Sequence, residues 1–357
     1  MATFDFDHAP ERLGTRCVKW DSIGEGELPM WVADMDFEVA PAIRQAVERR
    51  AAHPVYGYTF TDDSYYDAVI NWFDRRHQWH IDRSWILHTP GVVAAMSCAI
   101  KALTLPGQQV VILTPVYNCF FSSIRNCGCV ASECELKREG DSYVIDYDDL
   151  ERRCADERAA VLLFCNPHNP AGRVWRRDEL ERVSDICRRH HVRVIADEIH
   201  CELVMPGYEY TPFASLSDET SAITVTLNSP SKSFNTAGLM QSNVICSDIE
   251  MRRRVDRVIN IFEVCEVNPF GPDALVAAYN ESEEVGVRRG SGGAPHVAVV
   301  FHIGREHLGH TRETVYHAAA RTGNVDAHIA LTGATAVHGA AVEIDLALVA
   351  ELGFEFV

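Results

Sequence analysis

Basic residues are scarce in this chain: 33 Lys and Arg stand against 51 Asp and Glu, a formal charge of −18 over 357 residues. That imbalance argues against nucleic acid and anionic membrane surfaces as partners, because phosphate arrays select for clustered cations. Long hydrophobic runs are also missing, and nothing approaches the roughly 18–20 apolar residues of a membrane span. Met1 to Pro10 is acidic and holds no basic-then-apolar leader, so the expected location is the cytoplasm. Paired metal ligands are absent too. Cys127-Gly128-Cys129 has one intervening residue where common zinc and redox pairs have two, and Arg189-His190-His191 and His200-Cys201 lack a matched second pair. No metal site is expected, and the twelve scattered cysteines read as reduced, mostly buried thiols.

What is present describes a globular enzyme: 47% hydrophobic and 24% charged residues, enough for one large domain and a smaller one. From about residue 50 to 270, short apolar runs alternate with amphipathic ones, the pattern of an α/β layered domain. Val110–Leu113, Ala160–Phe164, Val192–Ala196, Ile223–Thr226 and Ser242–Cys246 read as strands covered on both faces. Between them, Asp178–Arg189 carries Leu180, Val183, Ile186 and Cys187 at the spacing of one helical face. The expected division is an N-terminal segment, 1–48, a large domain, 49–275, and a C-terminal segment, 276–357.

Four segments carry candidate chemistry. Lys232 lies in Ser-Pro-Ser-Lys after a strand-like run; alone, such a lysine reads as a solvated loop residue. The Ser-x-x-Lys nucleophile of penicillin-recognising enzymes would need later Ser-Asp-Asn and Lys-Thr-Gly elements, and neither occurs. Upstream, Val194-Ile-Ala-Asp197-Glu198-Ile-His200 sets a carboxylate at the carboxyl end of a buried strand, where open α/β sheets bind ligands. Such a carboxylate either caps the next helix or holds a pyridinium nitrogen protonated. Asn169 stands between two prolines in Asn166-Pro-His168-Asn169-Pro, again after an apolar strand. Gly91, in Thr-Pro-Gly-Val-Val, opens a helix whose free N–H groups suit a phosphate, with Ser229 as a second donor.

Read together, LPMWVADMDF, YGYT, TPGVV, TPVY, CNPHNPAGRVW, ADEIH and SPSKSFNTAGL make the chain resemble the fold-type I pyridoxal-5′-phosphate (PLP) enzymes. The likeness is to the cystathionine β-lyase-like C–S lyases close to class I/II aminotransferases, and it covers about residues 4–279. It implies a three-layer α/β fold, a mostly parallel sheet flanked by helices, with a smaller α+β domain from the N- and C-terminal segments. It also implies roles. Lys232 carries the cofactor and moves the α-proton. Asp197 pairs with the ring nitrogen, while His200 and Asn169 contact the ring hydroxyl. Tyr117 lies on the ring face. Gly91, Val92, Val93 and Ser229 take the phosphate. Tyr58 comes from the neighbouring subunit of a homodimer, and Trp31, Ala33 and Asp34 line the substrate side. The implied reaction is β-elimination from a small-molecule amino-acid substrate, a cysteine thioether, to thiol, pyruvate and ammonia. Transamination uses the same apparatus, and a non-catalytic binding role is the third reading.

After Glu284 the character changes: Gly, Ala and His become dense and helical periodicity is poor. The family's late arginine, which forks onto the substrate carboxylate, is not found in its expected context among Arg288, Arg289, Arg305, Arg312 and Arg321. The tail reads either as a divergent domain or as the product of a shifted reading frame, and the abrupt break favours the latter.

Overall fold

The computed structural model describes residues 9–24, 29, 31–140, 142–283 and, as strands, 299–301, 314–322 and 325–333. Helices α1 (Pro41–Ala52) and α2 (Asp63–His77) come first, followed by β1 (Ile86–Thr89), α3 (Val92–Leu103), β2 (Gln109–Thr114), α4 (Asn118–Asn126) and β3 (Val130–Glu135). A small hairpin, β4 (Lys137–Glu139) and β5 (Ser142–Val144), leads into α5 (Tyr147–Cys154), β6 (Ala159–Cys165), α6 (Arg177–Arg189) and β7 (Arg193–Asp197). Then come α7 (Asp218–Ser221), β8 (Thr224–Asn228), β9 (Ser242–Ile245), α8 (Ile249–Ile261) and α9 (Gly271–Glu281).

Seven strands form one sheet in the order β1-β9-β8-β7-β6-β2-β3. Neighbours from β8 through β3 are parallel, and β9 alone runs against both of its neighbours. The alternation of apolar strand and amphipathic helix dictates this arrangement. Each crossover returns the chain to the same edge and lays a helix on one face. β6 and β7 are near-continuously apolar because both faces are covered. Val161, Leu163 and Ile195 pack with α3 and α8, while Leu162, Phe164, Val194 and Ala196 pack with α6 on the other side. A third cluster joins α1, α2 and α9 around Trp72, Phe73, Leu275 and Tyr279.

The five expected strands and the helix from 178 to 189 are all present, displaced by one or two residues. Val192 falls outside β7 because His191 turns there at φ 56°, and Cys246 falls just past β9. No helix among the described residues is long and apolar enough to cross a membrane. In the C-terminal segment, β10 (Val299–Phe301), β11 (Thr314–Thr322) and β12 (Val325–Gly333) form an antiparallel sheet. Arg321 lies in β11; Arg288, Arg289, Arg305 and Arg312, and with them most of the segment read as an altered frame, lie outside the described residues.

Candidate active site

One edge of the sheet gathers nearly everything the sequence singled out. Gly91 follows β1, Tyr117 follows β2, Asn169 follows β6, Asp197 ends β7, and Ser229 and Lys232 follow β8. Those strands point the same way, so all their carboxyl ends open on one crevice, the place where parallel sheets bind ligands.

Only four lysines occur in the whole chain. Lys19 is held by Asp36 at 2.6 Å, Lys137 is an exposed partner of Asp146, and Lys101 faces solvent on α3. Lys232 alone stands half-buried at the carboxyl edge. Burial lowers its pKa, opposed by the negative potentials of Asp34, Asp197 and Cys119. The amine can therefore lose its proton more readily than a surface lysine.

Asp197 is buried, and its carboxylate accepts a long hydrogen bond from the Ile199 N–H at 3.3 Å. Burial pushes its pKa up to about 6 against the opposing pull of that N–H and of Lys232. A carboxylate so placed is relieved by a cation that reaches it. His200, on the same turn, is held neutral: burial, then Lys232, brings its pKa down to about 3. Asn169 is buried, accepts the Tyr117 N–H at 3.2 Å through its backbone oxygen, and leaves its side-chain Oδ1 with no partner. Burial raises the Tyr117 hydroxyl pKa, reinforced by Cys119 and Asp197.

α3 begins at Gly91 with no side-chain cap, and its first intrahelical bond runs from the Ala95 N–H to the Gly91 oxygen. The N–H groups of Val92, Val93 and Ala94 precede that bond and, with the helix dipole, suit an anion. Ser229 is committed differently: its hydroxyl donates to the Gln241 carbonyl at 2.6 Å and accepts the Ser231 N–H at 3.1 Å. As it stands it braces the lysine loop, and facing a phosphate would require the hydroxyl to turn.

Three positioning contacts were not legible beforehand. Asn235, at φ 58°, accepts the Met35 N–H and donates to the Met35 and Phe37 carbonyls, tying Trp31–Asp34 to the lysine loop. Arg12 clamps Asp34 and Asp36. Glu198, fully buried, accepts from Tyr210 Oη at 2.6 Å, the Phe213 N–H at 2.8 Å and Asn166 Nδ2 at 3.1 Å, and so locks the turns that carry Asn169 and Asp197. Tyr58 is not brought into the crevice; it is 94% exposed. Trp31 is partly exposed and Ala33 half-buried, while Asp34 lies close enough to Lys232 to influence its charge.

Burial raises the Glu198 pKa from 4.5 to about 7 despite its three donors. The sign follows from linkage: a carboxyl held protonated by the fold contributes stability that is full below pH 4.5 and is lost as pH rises through 7. Glu198→Gln is expected to remove about 3 kcal/mol of that loss. Urea unfolding at several pH values between 4.5 and 7.5 would measure it as a flatter profile.

The chemistry of the donor set fits PLP. Asp197 would meet the ring nitrogen, Asn169 Oδ1 and neutral His200 the ring hydroxyl, the α3 N-terminus the phosphate, and Lys232 the aldehyde carbon. Similarity to known proteins points to the same cofactor. A family model described as aminotransferase class I and II matches residues 28–290. Cystathionine beta-lyase PatB of Bacillus subtilis (strain 168) is 42% identical over 282 residues, covering 78% of this chain and 73% of PatB. The crystal structure of cystalysin from Treponema denticola, which contains PLP, matches with a TM-score of 0.77 at 36% identity, over 79% of this chain and 74% of cystalysin. A PLP-bound C–S lyase from Staphylococcus hominis matches with a TM-score of 0.74 at 27% identity, over 80% of this chain and 75% of that one.

Proposed function

This chain belongs to the class I and II aminotransferase family, and from that premise we propose that it is a PLP-dependent carbon–sulfur β-lyase. Its substrate is cystathionine or a related cysteine thioether, which with one water yields a thiol, pyruvate and ammonia. The observation that carries the reading is the grouping of Lys232, Asp197, His200 and Asn169 on one sheet edge, in a chain whose relatives are named as C–S lyases.

Bound PLP withdraws electrons from the substrate's α-carbon, which makes the α-proton removable. Lys232 Nζ, its pKa lowered by burial, accepts that proton. The same Nζ–H then stands as the proton source for the departing sulfur. Asp197 holds a proton on the ring nitrogen, and the charge pair so formed offsets the burial of its carboxylate. His200, neutral, makes contact without adding a competing positive charge. Arg12 and Asn235 fix the segment that carries Trp31, Ala33 and Asp34 over the substrate side.

The active unit is a homodimer. Val55, Tyr56, Tyr58 and Phe60 are all exposed on one short stretch, and an apolar run of that kind is suited to cover by a second copy. Tyr58 would then enter the neighbouring crevice. All twelve cysteines are free thiols, compatible with the reducing cytoplasm, where we place the enzyme.

The test is a product assay on the PLP-loaded protein. Cystathionine is expected to release equal amounts of pyruvate and thiol with no 2-oxo acid consumed. Consumption of an added 2-oxo acid without pyruvate release would mark an aminotransferase, and neither product would mark a binding protein.

A further inference from the structure

In the turn after β7, the fold brings a distant histidine to a neighbouring thiol and carboxylate. His77 ends α2, while Cys201 and Glu202 follow His200 in the turn after β7. One ligand atom from each lies within 4.8 Å of the others. His77 Nε2 sits 2.6 Å from Glu202 Oε1, and the Cys201 thiol donates to that same oxygen at 3.7 Å. The three side chains line a cavity of about 540 Å³, which Arg76, Tyr208 and Tyr210 also border. His200-Cys201 reads as lacking a matched second pair because the histidine that meets Cys201 comes from a distant helix, α2.

From this geometry we infer that His77 Nε2, Cys201 Sγ and a Glu202 oxygen form a binding site for a soft divalent cation of the zinc class. Nitrogen, sulfur and oxygen donors in a set of three, with open space beside them, make an open tetrahedral site whose fourth position is filled by water from the cavity. The ion takes the place of two of the three hydrogens that now point at Glu202 Oε1, those of His77 and Cys201. The thiol proton leaves to solvent, and His77 binds as the neutral ring with its proton on Nδ1. Trp72 Nε1 continues to donate to Glu202 at 2.7 Å, and Arg76 Nη2 to the other oxygen at 3.2 Å, so the carboxylate stays oriented. Asn228 Nδ2 donates to Cys201 Sγ at 3.2 Å and supports the thiolate.

Arg76 is the main opposing charge, 3.2 Å from Glu202, but Glu283 at 3.3 Å shares it.

The experiment is a titration of the PLP-loaded full chain with Cd²⁺ alone, read by thiolate-to-metal charge-transfer absorption in the ultraviolet. One equivalent should develop the band. Cys201→Ser should lose it, and His77→Gln should bind at least about tenfold more weakly, each with the cofactor band unchanged. If Cys201→Ser no longer holds the cofactor, His77→Gln decides. An unaltered titration in a variant that keeps its cofactor overturns the site, as does a wild type with no charge-transfer band.

Discussion

Lys232→Ala is expected to lower thiol and pyruvate release by at least about 10³-fold, with PLP in excess and the unfolding midpoint little changed. The amine has two tasks, anchoring the cofactor and moving the α-proton, and positioned general bases contribute roughly 10²–10⁴-fold on their own. None of the other three lysines can substitute. Lys19 is held between the Asp34 carbonyl and Asp36, and Lys101 and Lys137 face solvent. Steady-state rates with saturating thioether provide the check; a variant within tenfold of wild type would remove Lys232 from the mechanism.

Asp197→Asn should move two quantities in opposite directions. Without cofactor, the buried carboxyl resists ionisation: its pKa stands at about 6 against an ordinary 3.8. Its contribution to stability is therefore full below pH 3.8 and lost as pH rises through 6, a cost of up to about 3 kcal/mol at neutral pH. Asparagine has the same shape and no charge to bury, so the cofactor-free variant should be more stable than wild type at pH 7.5. The loaded variant should be weaker in every respect, with turnover down by roughly 10²–10³-fold, because removing one partner of a buried charge pair costs several kcal/mol. For wild type, PLP affinity should fall up to about tenfold per unit as pH drops below 6, and be flat from 7 upward. Urea unfolding with and without PLP, steady-state turnover, and PLP titrations from pH 5 to 8 would measure all three. A variant destabilised without cofactor would contradict the reading of Asp197 as a carboxyl whose burial outweighs its partners.

The parts of the fold and site legible in the sequence share a physical reason: they are local. Ala160–Phe164 reads as a strand because both of its faces are buried, and the polar turn after it follows within a few residues. Asp197 ends one such strand and Lys232 follows another within a few residues, so their position at the carboxyl edge needs no long-range information. The remainder depends on contacts between distant segments. Asn235 pairs with Met35 and Phe37, and His77 meets Glu202, only once the helices pack. Glu198 looks like the second half of an acidic pair, yet it faces the opposite way from Asp197 and serves Asn166, Tyr210 and Phe213. Ser229 shows the same limit from the other side. Its place beside the lysine was readable, but the Gln241 carbonyl that takes its hydroxyl was not.

The most direct measurement of the central claim is to add PLP, reduce the protein with borohydride, digest it and locate the pyridoxyl-lysine by mass spectrometry. With four lysines in the chain, the outcome is discrete. Modification on the peptide containing Lys232, and absent from Lys232→Ala, is the predicted result. Label on Lys19, Lys101 or Lys137 instead, or on no lysine, would contradict it.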